Sequence, residues 1–480
     1  METAAHSRRR WLALIVLCLG ELMIVLDSTI VNVALPSIRA DLGFTETSLV
    51  WVVNAYMLTF GGCLLLGGRL GDLYGPRRMF LAGLAFFTLA SLACGLAPSQ
   101  EVLVAARAIQ GLGGAVVSAV ALSLIMNLFT ETRERTRAMG VYGFVCAGGG
   151  SLGVLLGGLL TSVGWHWIFL VNLPIGVAVY LASRLLLPAT AAPGSGAKLD
   201  VAGAATVTLS LMLAVYGVVG GNTAGWGSAR TLALLSAAAL LMALFLFIES
   251  RSAHPLVPLE LFRRRNICIS NICAVLWSAG MFAWFFMSAL YLQQVLGYTP
   301  MQVGLAFLPA NLVMAALSLG WSARLVMRFG IRAPLAAGLL LAAAGLLLFA
   351  RAPLAADSGG FWLDVLPGML LLGLGAGVAF NPMLMAAMHD VSPANAGLAS
   401  GLVNTAFMLG GALGLAVLAS LAAGRTAALA ARGSDALGAL LGGYQWAFGA
   451  GALFALLAAA LGSTLLHANL QAGETSPAIH

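Results

Sequence analysis

The sequence predicts an all-α membrane protein. Two observations carry that prediction. Apolar residues make up 61% of the 480 and charged residues only 9%, whereas a soluble domain needs roughly 25–35% of its surface charged. Apolar runs long enough to cross a hydrocarbon core of about 30 Å also recur along the whole chain, and the mean hydropathy is +0.98. No long soluble segment fits between the runs, so the chain reads as one membrane domain and not as a tethered soluble enzyme.

Taken in order, the runs predict fourteen helical spans, at 12–36, 48–68, 78–97, 102–128, 138–161, 166–187, 200–219, 230–249, 267–295, 301–323, 333–350, 362–387, 395–422 and 443–467. The first follows Arg8-Arg9-Arg10 as a secretory leader would. Its apolar run is too long for a leader and lacks a small-residue cleavage site, so it is expected to be a retained helix. The net charge of +7 rests on 23 Arg and the single Lys198. With the N-terminus inside, 18 of the 24 basic residues fall in cytoplasmic loops and 5 outside, leaving Arg107 within a span. That asymmetry is the one that orients membrane helices. It sets both termini in the cytoplasm, implies no nucleic acid, and points to a plasma (inner) membrane protein. All six cysteines lie in apolar runs without metal or disulfide spacing.

The segment Arg69-Leu70-Gly71-Asp72-Leu73-Tyr74-Gly75-Pro76-Arg77 matches Arg324-Leu325-Val326-Met327-Arg328-Phe329-Gly330-Ile331-Arg332 at four of nine positions, 255 residues on. Each copy follows the second helix of a six-helix half. The expected organisation is therefore a bundle over 1–190, an inserted helix pair with linkers over 191–262, and a second bundle over 263–480. Two such halves rock about a midplane site in many transporters.

Charge within the spans is the chemical signal, because each charge there costs about 2.5–3.5 kcal/mol. Three residues qualify: Glu21 and Asp27 on the first span and Arg107 on the fourth. The first span runs outward and the fourth inward, so Asp27 and Arg107 reach similar depth and are expected to pair. A carboxyl group out of water holds its proton tightly and one beside a guanidinium holds it weakly. Moving one group relative to the other would switch proton affinity between conformations. The plainer reading is a structural pair that only fixes two helices. Glu21 lies roughly 120° around the helix from Asp27 and is a candidate second proton site.

Gly68, Asp72, Gly75, Arg77 and Arg78 form a glycine-containing basic loop. Its glycines allow a tight turn, and Asp72 can accept from an Arg such as Arg137 or from a helix N-terminus. This suits a cytoplasmic latch that opens when the halves part. Gly153, Gly157 and Gly158 on the fifth span suit close helix packing.

At these motifs the chain resembles the major facilitator superfamily, and within it the fourteen-helix drug:proton antiporters. Gly68 to Arg78 is similar to the family's loop between helices 2 and 3. Leu26-Asp27-Ser28-Thr29-Ile30-Val31-Asn32-Val33-Ala34-Leu35-Pro36 resembles its helix 1 signature, and Arg107-Ala108-Ile109-Gln110-Gly111-Leu112-Gly113-Gly114 its helix 4 motif. Trp165 to Gly176 resembles the entry to helix 6. In the helix 5 motif Val154 stands where the family carries Pro. The resemblance implies a major facilitator fold, alternating access, and proton-coupled efflux in which Arg107 serves proton coupling.

Polar and aromatic residues within spans are the candidates for a substrate site: Asn54, Tyr56, Gln110, Trp284, Gln293, Asn311, Asn381 and Asn404. Such residues equally serve as hydrogen bonds between helices. His389-Asp390 reads as a solvated helix end. No phosphate-binding glycine loop occurs, which argues against an ATP-driven pump within the chain. The expected function is a proton-coupled exporter of hydrophobic or cationic small molecules, not an enzyme, with no cofactor or metal, acting as a monomer on substrate and protons in the lipid bilayer. Two rivals fit the same composition: an exporter of one metabolite or antibiotic, and a non-transporting membrane sensor or scaffold. The last would have no need of a buried Asp–Arg pair.

Overall fold

In lipid every backbone N–H and C=O must find a partner within the chain, and a helix supplies them all. The computed structural model describes residues 4–129, 131–188, 200–252, 255, 259–317, 321–353, 360–388 and 396–466. Its helices are α1 (Ala4–Leu42), α2 (Glu46–Tyr74), α3 (Pro76–Gly95), α4 (Gln100–Leu128), α5 (Thr132–Val163), α6 (Trp167–Leu170), α7 (Asn172–Leu186), α8 (Val201–Ala224), α9 (Ala229–Arg251), α10 (Arg265–Leu290), α11 (Pro300–Ala316), α12 (Ser322–Phe329), α13 (Arg332–Phe349), α14 (Leu366–Met388), α15 (Ala396–Ala430) and α16 (Ala436–Leu465). Polar caps start several of them. Thr45 and Ser48 form a capping box on α2, Thr299 and Gln302 one on α11, and Ser99, Asp200, Ser228 and Asp435 cap α4, α8, α9 and α16.

Among the described residues twelve helices are long and apolar enough to cross a membrane. Shorter apolar helices at Leu152–Val163 and Pro300–Ala316 lie where the sequence predicts the fifth and tenth spans. One predicted span is divided, the sixth into α6 and α7; of the tenth, α11 and the start of α12 are described on either side of residues 318–320, which lie outside the described residues. The basic loop after the second span is shorter than the sequence suggests. Helix α2 runs on to Tyr74 and α3 begins at Pro76, so every residue of the Gly68–Arg78 motif except Gly75 is helical. Gly75, at φ +93°, then ends α2 and Pro76 opens α3 at once.

Helix contacts fall into two sets with the same pattern. Within the first, α1 packs on α5 and α7, α4 on α2 and α3, and α3 on α7. Within the second, α10 packs on α15 and α16, α14 on α11 and α13, and α13 on α16. Across the sets, α5 meets α11 and α15 meets α2. The repeat seen in sequence recurs in the backbone. Gly330 ends α12 at φ +75°, as Gly75 ends α2, and the N–H of each bonds the carbonyl four residues back. The pair α8–α9 lies outside both sets, with α8 against α2 and α15.

Polar contacts tie the two sets together at the end where α1 finishes and α2 begins. Arg39 pairs with Glu46 at 2.7 Å and donates to Gln294 at 3.2 Å, while the Tyr444 hydroxyl donates to Glu46 at 3.5 Å. Deeper in the same interface, Gln293 donates to the Val33 carbonyl at 3.0 Å and Asn54 to that of Ala412 at 2.9 Å.

Close packing depends on glycine at the α3–α4 crossing. A Cβ on Gly113 would lie 2.6 Å from the Phe87 nitrogen and 2.9 Å from the Gly83 oxygen, both backbone atoms of α3. Nothing lies within 4 Å of the corresponding position on Gly150. Gly113→Ala is therefore expected to cost about 1–3 kcal/mol by overpacking and to lower the melting temperature in detergent. Gly150→Ala should leave it unchanged. Equal melting curves for the two variants would refute this account of the crossing.

Candidate functional site: a buried ion pair in the first bundle

Helices α1 and α4 pack antiparallel, and this register sets Asp27 beside Arg107. Arg107 donates through Nη1 to Asp27 Oδ2 at 2.5 Å. Both side chains are buried, at 0% and 1% exposure. Asp27 Oδ1 accepts from Gln110 Nε2 at 2.7 Å and from Asn172 Nδ2 at 2.9 Å. The Ser91 hydroxyl accepts from the same two amides, at 2.7 Å and 3.3 Å. Arg107 also donates through Nε to the Val52 carbonyl at 2.9 Å and through Nη1 to Gln110 Oε1 at 2.5 Å. Its guanidinium lies 4.4 Å from the centre of the Tyr56 ring and 5.6 Å from that of Phe169. The site thus draws on α1, α2, α3, α4, α6 and α7.

Local sequence explains how so many groups converge. Gly111, one residue beyond Gln110, lies against Thr59 and the Tyr56 carbonyl with no room for a Cβ, so α2 and α4 can approach closely. The single residue Val171 separates α6 from α7, and Asn172 begins α7 at the depth of Asp27. Helix α5 supplies a glycine ridge against α1. Gly149 faces Leu22 and Val25, Gly153 faces Leu26 and Thr29, and Gly157 faces Ile30 and Val33. Gly158 and Val154 face the other way, toward Pro300, Met301 and Gly304 of α11. Helix α5 runs unbroken through Val154.

Glu21 is not part of this network. It is buried on α1, accepts from the Ser118 hydroxyl of α4 at 3.1 Å, and also has Tyr142 of α5 as a side-chain hydrogen-bond partner. Nor are the eight polar and aromatic candidates for a substrate site gathered in one place. Gln110 and Tyr56 belong to the Arg107 surroundings, while Asn54 and Gln293 join the two helix sets. Trp284 packs at a tilt against Phe285 and Phe307, Asn311 is buried on α11, and Asn381 and Asn404 are half-buried on α14 and α15. In the basic turn, Arg77 donates to the Arg184 carbonyl at 2.6 Å, tying α3 to the end of α7, and Arg78 is exposed. Gly68 packs near Ala119 and Gly71 near Val120. The side chains of Arg69, Asp72 and Arg137 lie outside the described residues, as do His389 and Asp390.

Sequence reasoning missed Ser91 and gave Asn172 no role. A serine in an apolar run carries no signal by itself. Asn172 could have been found as an amide at the depth of Asp27 in the helix 6 entry.

The family model of the Major Facilitator Superfamily matches residues 17–415. The chain is 40% identical to the puromycin resistance protein of Streptomyces alboniger, over 97% of this chain and 93% of that one. It is 41% identical to the cephamycin export protein of Amycolatopsis lactamdurans, over 85% and 84%. It is 37% identical to the lincomycin resistance protein of Streptomyces lincolnensis, over 88% and 86%. Among solved structures, a bacterial homologue of the human drug peptide transporters shares the fold, with a TM-score of 0.65 at 16% identity over 95% of this chain and 98% of that one.

Removing one partner of a buried ion pair leaves the other charge without compensation, at a cost of about 3–5 kcal/mol. Arg107→Ala is therefore expected to destabilise the protein in nanodiscs strongly. The double variant Asp27→Asn, Arg107→Gln, which removes both charges, should melt higher than Arg107→Ala alone. If the single variant is as stable as the double, the pair does not hold the bundle.

Proposed function

Since the chain belongs to the Major Facilitator Superfamily, we propose that it is an exporter of hydrophobic or cationic small molecules, antibiotics among them, driven by proton entry. Relatives covering most of its length are named for puromycin resistance, cephamycin export and lincomycin resistance. The observation that carries the proton-coupled reading is the dry Asp27–Arg107 pair. A sensor or scaffold has no use for two charges at that depth, which are costly to insert.

In the mechanism we propose, a proton neutralises Asp27 and removes its attraction for Arg107. The guanidinium keeps three other holds, on the Val52 carbonyl, Gln110 Oε1 and the Tyr56 ring. It therefore stays with α2 and α4 while α1 is released. Protonated Asp27 becomes a donor and needs an acceptor, which favours a shifted α1. The α5 ridge that grips α1 also contacts α11, so the shift is passed to the second bundle. Glu21, buried on α1 outside the Asp27 network, is a second proton-binding candidate. The chain carries out no catalytic step in this reading.

The same proposal sets fourteen crossings, bundles at 1–190 and 263–480 flanking the inserted pair, and both termini in the cytoplasm, as the basic residues favour. The Arg39, Glu46, Gln294 and Tyr444 contacts then seal the outer end. Asp72 with Arg77 and Arg78 would latch the inner end when it closes. A narrower reading, export of one antibiotic, is favoured by relatives that are each named for a single compound.

Inverted vesicles carrying the protein should accumulate puromycin or lincomycin when their lumen is acidified, and Asp27→Asn should abolish that accumulation. Unchanged accumulation by the variant would overturn the role of Asp27. Uptake of one compound and of no unrelated dye would leave the narrow exporter standing.

A further inference from the structure

The inserted pair has a second surface. Between α8–α9 and helices α2, α10 and α15 lies a cavity of about 420 Å³, within the span of roughly 300–1,000 Å³ usual for small-molecule sites. Val207, Phe245, Leu276, Leu402 and Leu409 make its walls largely apolar. Two polar side chains interrupt them, Asn271 of α10 and Thr405 of α15. They are 6% and 8% exposed, and neither Asn271 Oδ1 nor Thr405 Oγ1 has a hydrogen-bond partner. The Asn271 amide cannot simply turn to relieve this, because its Nδ2 donates to the Ile267 carbonyl at 2.8 Å. A buried acceptor left without a donor costs about 1–3 kcal/mol. Apolar residues at both positions would have packed the helices without that cost.

Three of its apolar lining residues are exposed as well: Leu246, Ile272 and Val275 at 46%, 40% and 38%, as side chains facing lipid would be.

We propose that this cavity binds a neutral, mostly apolar molecule bearing at least one hydrogen-bond donor, which enters sideways from the bilayer. Asn271 Oδ1 requires a donor, and Thr405 can donate or accept. A lipid acyl chain offers neither. A permanently charged cation fits poorly, since no lining residue among the described residues is charged and a buried unpaired charge is costly. The site shares no residue with the Asp27 network. It lies at the α2–α15 contact between the helix sets, where Gly62 and Leu409 line its floor. This inference rests on the exporter reading and names the kind of substrate the protein draws from the membrane.

The test uses the full chain in nanodiscs, without any gradient, and N-phenyl-1-naphthylamine as a neutral fluorescent probe with one N–H. Empty nanodiscs give the lipid baseline. Saturable binding above that baseline is expected. Ala406→Trp, which fills the cavity, should abolish it. Asn271→Leu, which removes the acceptor for the probe's single N–H, should weaken it by roughly fivefold, about one hydrogen bond, and the isosteric Thr405→Val by less. The N-methylated probe, which has no N–H, should bind wild type and Asn271→Leu alike. Binding that does not saturate, or that is unchanged in all three variants, overturns the site. If Ala406→Trp fails to fold, unchanged binding by Thr405→Val and Asn271→Leu decides against it. Binding is read without a gradient, so it does not depend on transport. A variant that binds but does not transport, or a wild type that binds and transports nothing, therefore bears on the exporter reading and leaves the site intact.

Discussion

The structure of the first bundle is organised by one ion pair held away from both water and lipid. A carboxylate and a guanidinium at this depth are tolerated only when every lone pair and N–H of consequence is answered. Asp27 answers with three donors, from Arg107, Gln110 and Asn172. Arg107 answers with Asp27, a main-chain carbonyl of α2, an amide of its own helix and two aromatic faces. These partners come from elements far apart in sequence. The pair therefore fixes the mutual positions of α1, α2, α3, α4 and α7 more tightly than apolar packing alone, because polar geometry is directional and side-chain packing in lipid gains little from the hydrophobic effect.

Glycine is the complementary constraint. Directional bonds across a bundle form only if the backbones come close enough, and Gly111 and Gly113 bring α4 onto α2 and α3. Gly149, Gly153 and Gly157 bring α5 onto α1 over the turns that carry Asp27. Because Gly158 faces α11, the helix that supports the ion pair from one side supports the interface between the bundles from the other. Two contacts that are remote on the sequence are thus joined by one rigid element, the physical requirement for a displacement at Asp27 to reach the second bundle.

Much of this was legible in the chain itself. Composition and run length gave the membrane fold, because lipid admits so few backbone solutions. A charge inside a span is conspicuous, and antiparallel alternation was enough to set Asp27 and Arg107 at one depth. Gly75 and Gly330 marked the same turn in both repeats. What was not legible followed from chemistry that sequence leaves ambiguous. Ser91 and Asn172 are small polar residues whose role depends on which way each helix turns. That the substrate-site candidates Gln110 and Tyr56 surround Arg107 was hidden as well, because an amide or a phenol in a span serves several purposes. The extension of α2 to Tyr74 was hidden because a charged, glycine-containing segment reads as loop whether or not its backbone stays helical.

The dryness of the pair bears on how coupling would operate. At 0% and 1% exposure, Asp27 and Arg107 are out of reach of any proton carrier while the helices keep these positions. On the proposed reading, the proton therefore reaches Asp27 only after the contacts in front of it have parted, and the release of α1 follows. Access must open as the bundle loosens. The contacts of Arg39, Glu46, Gln294 and Tyr444 clamp the same ends of α1, α2, α10 and α16 that would have to part. Those contacts are half-exposed at Arg39 and Glu46, with side-chain exposures of 34% and 24%, so water competes for them and each contributes little. The inner pair is shielded and strong, the outer clamp wet and weak. Opening the clamp is then the low-cost step, and the protonation state of Asp27 decides whether the bundle behind it follows.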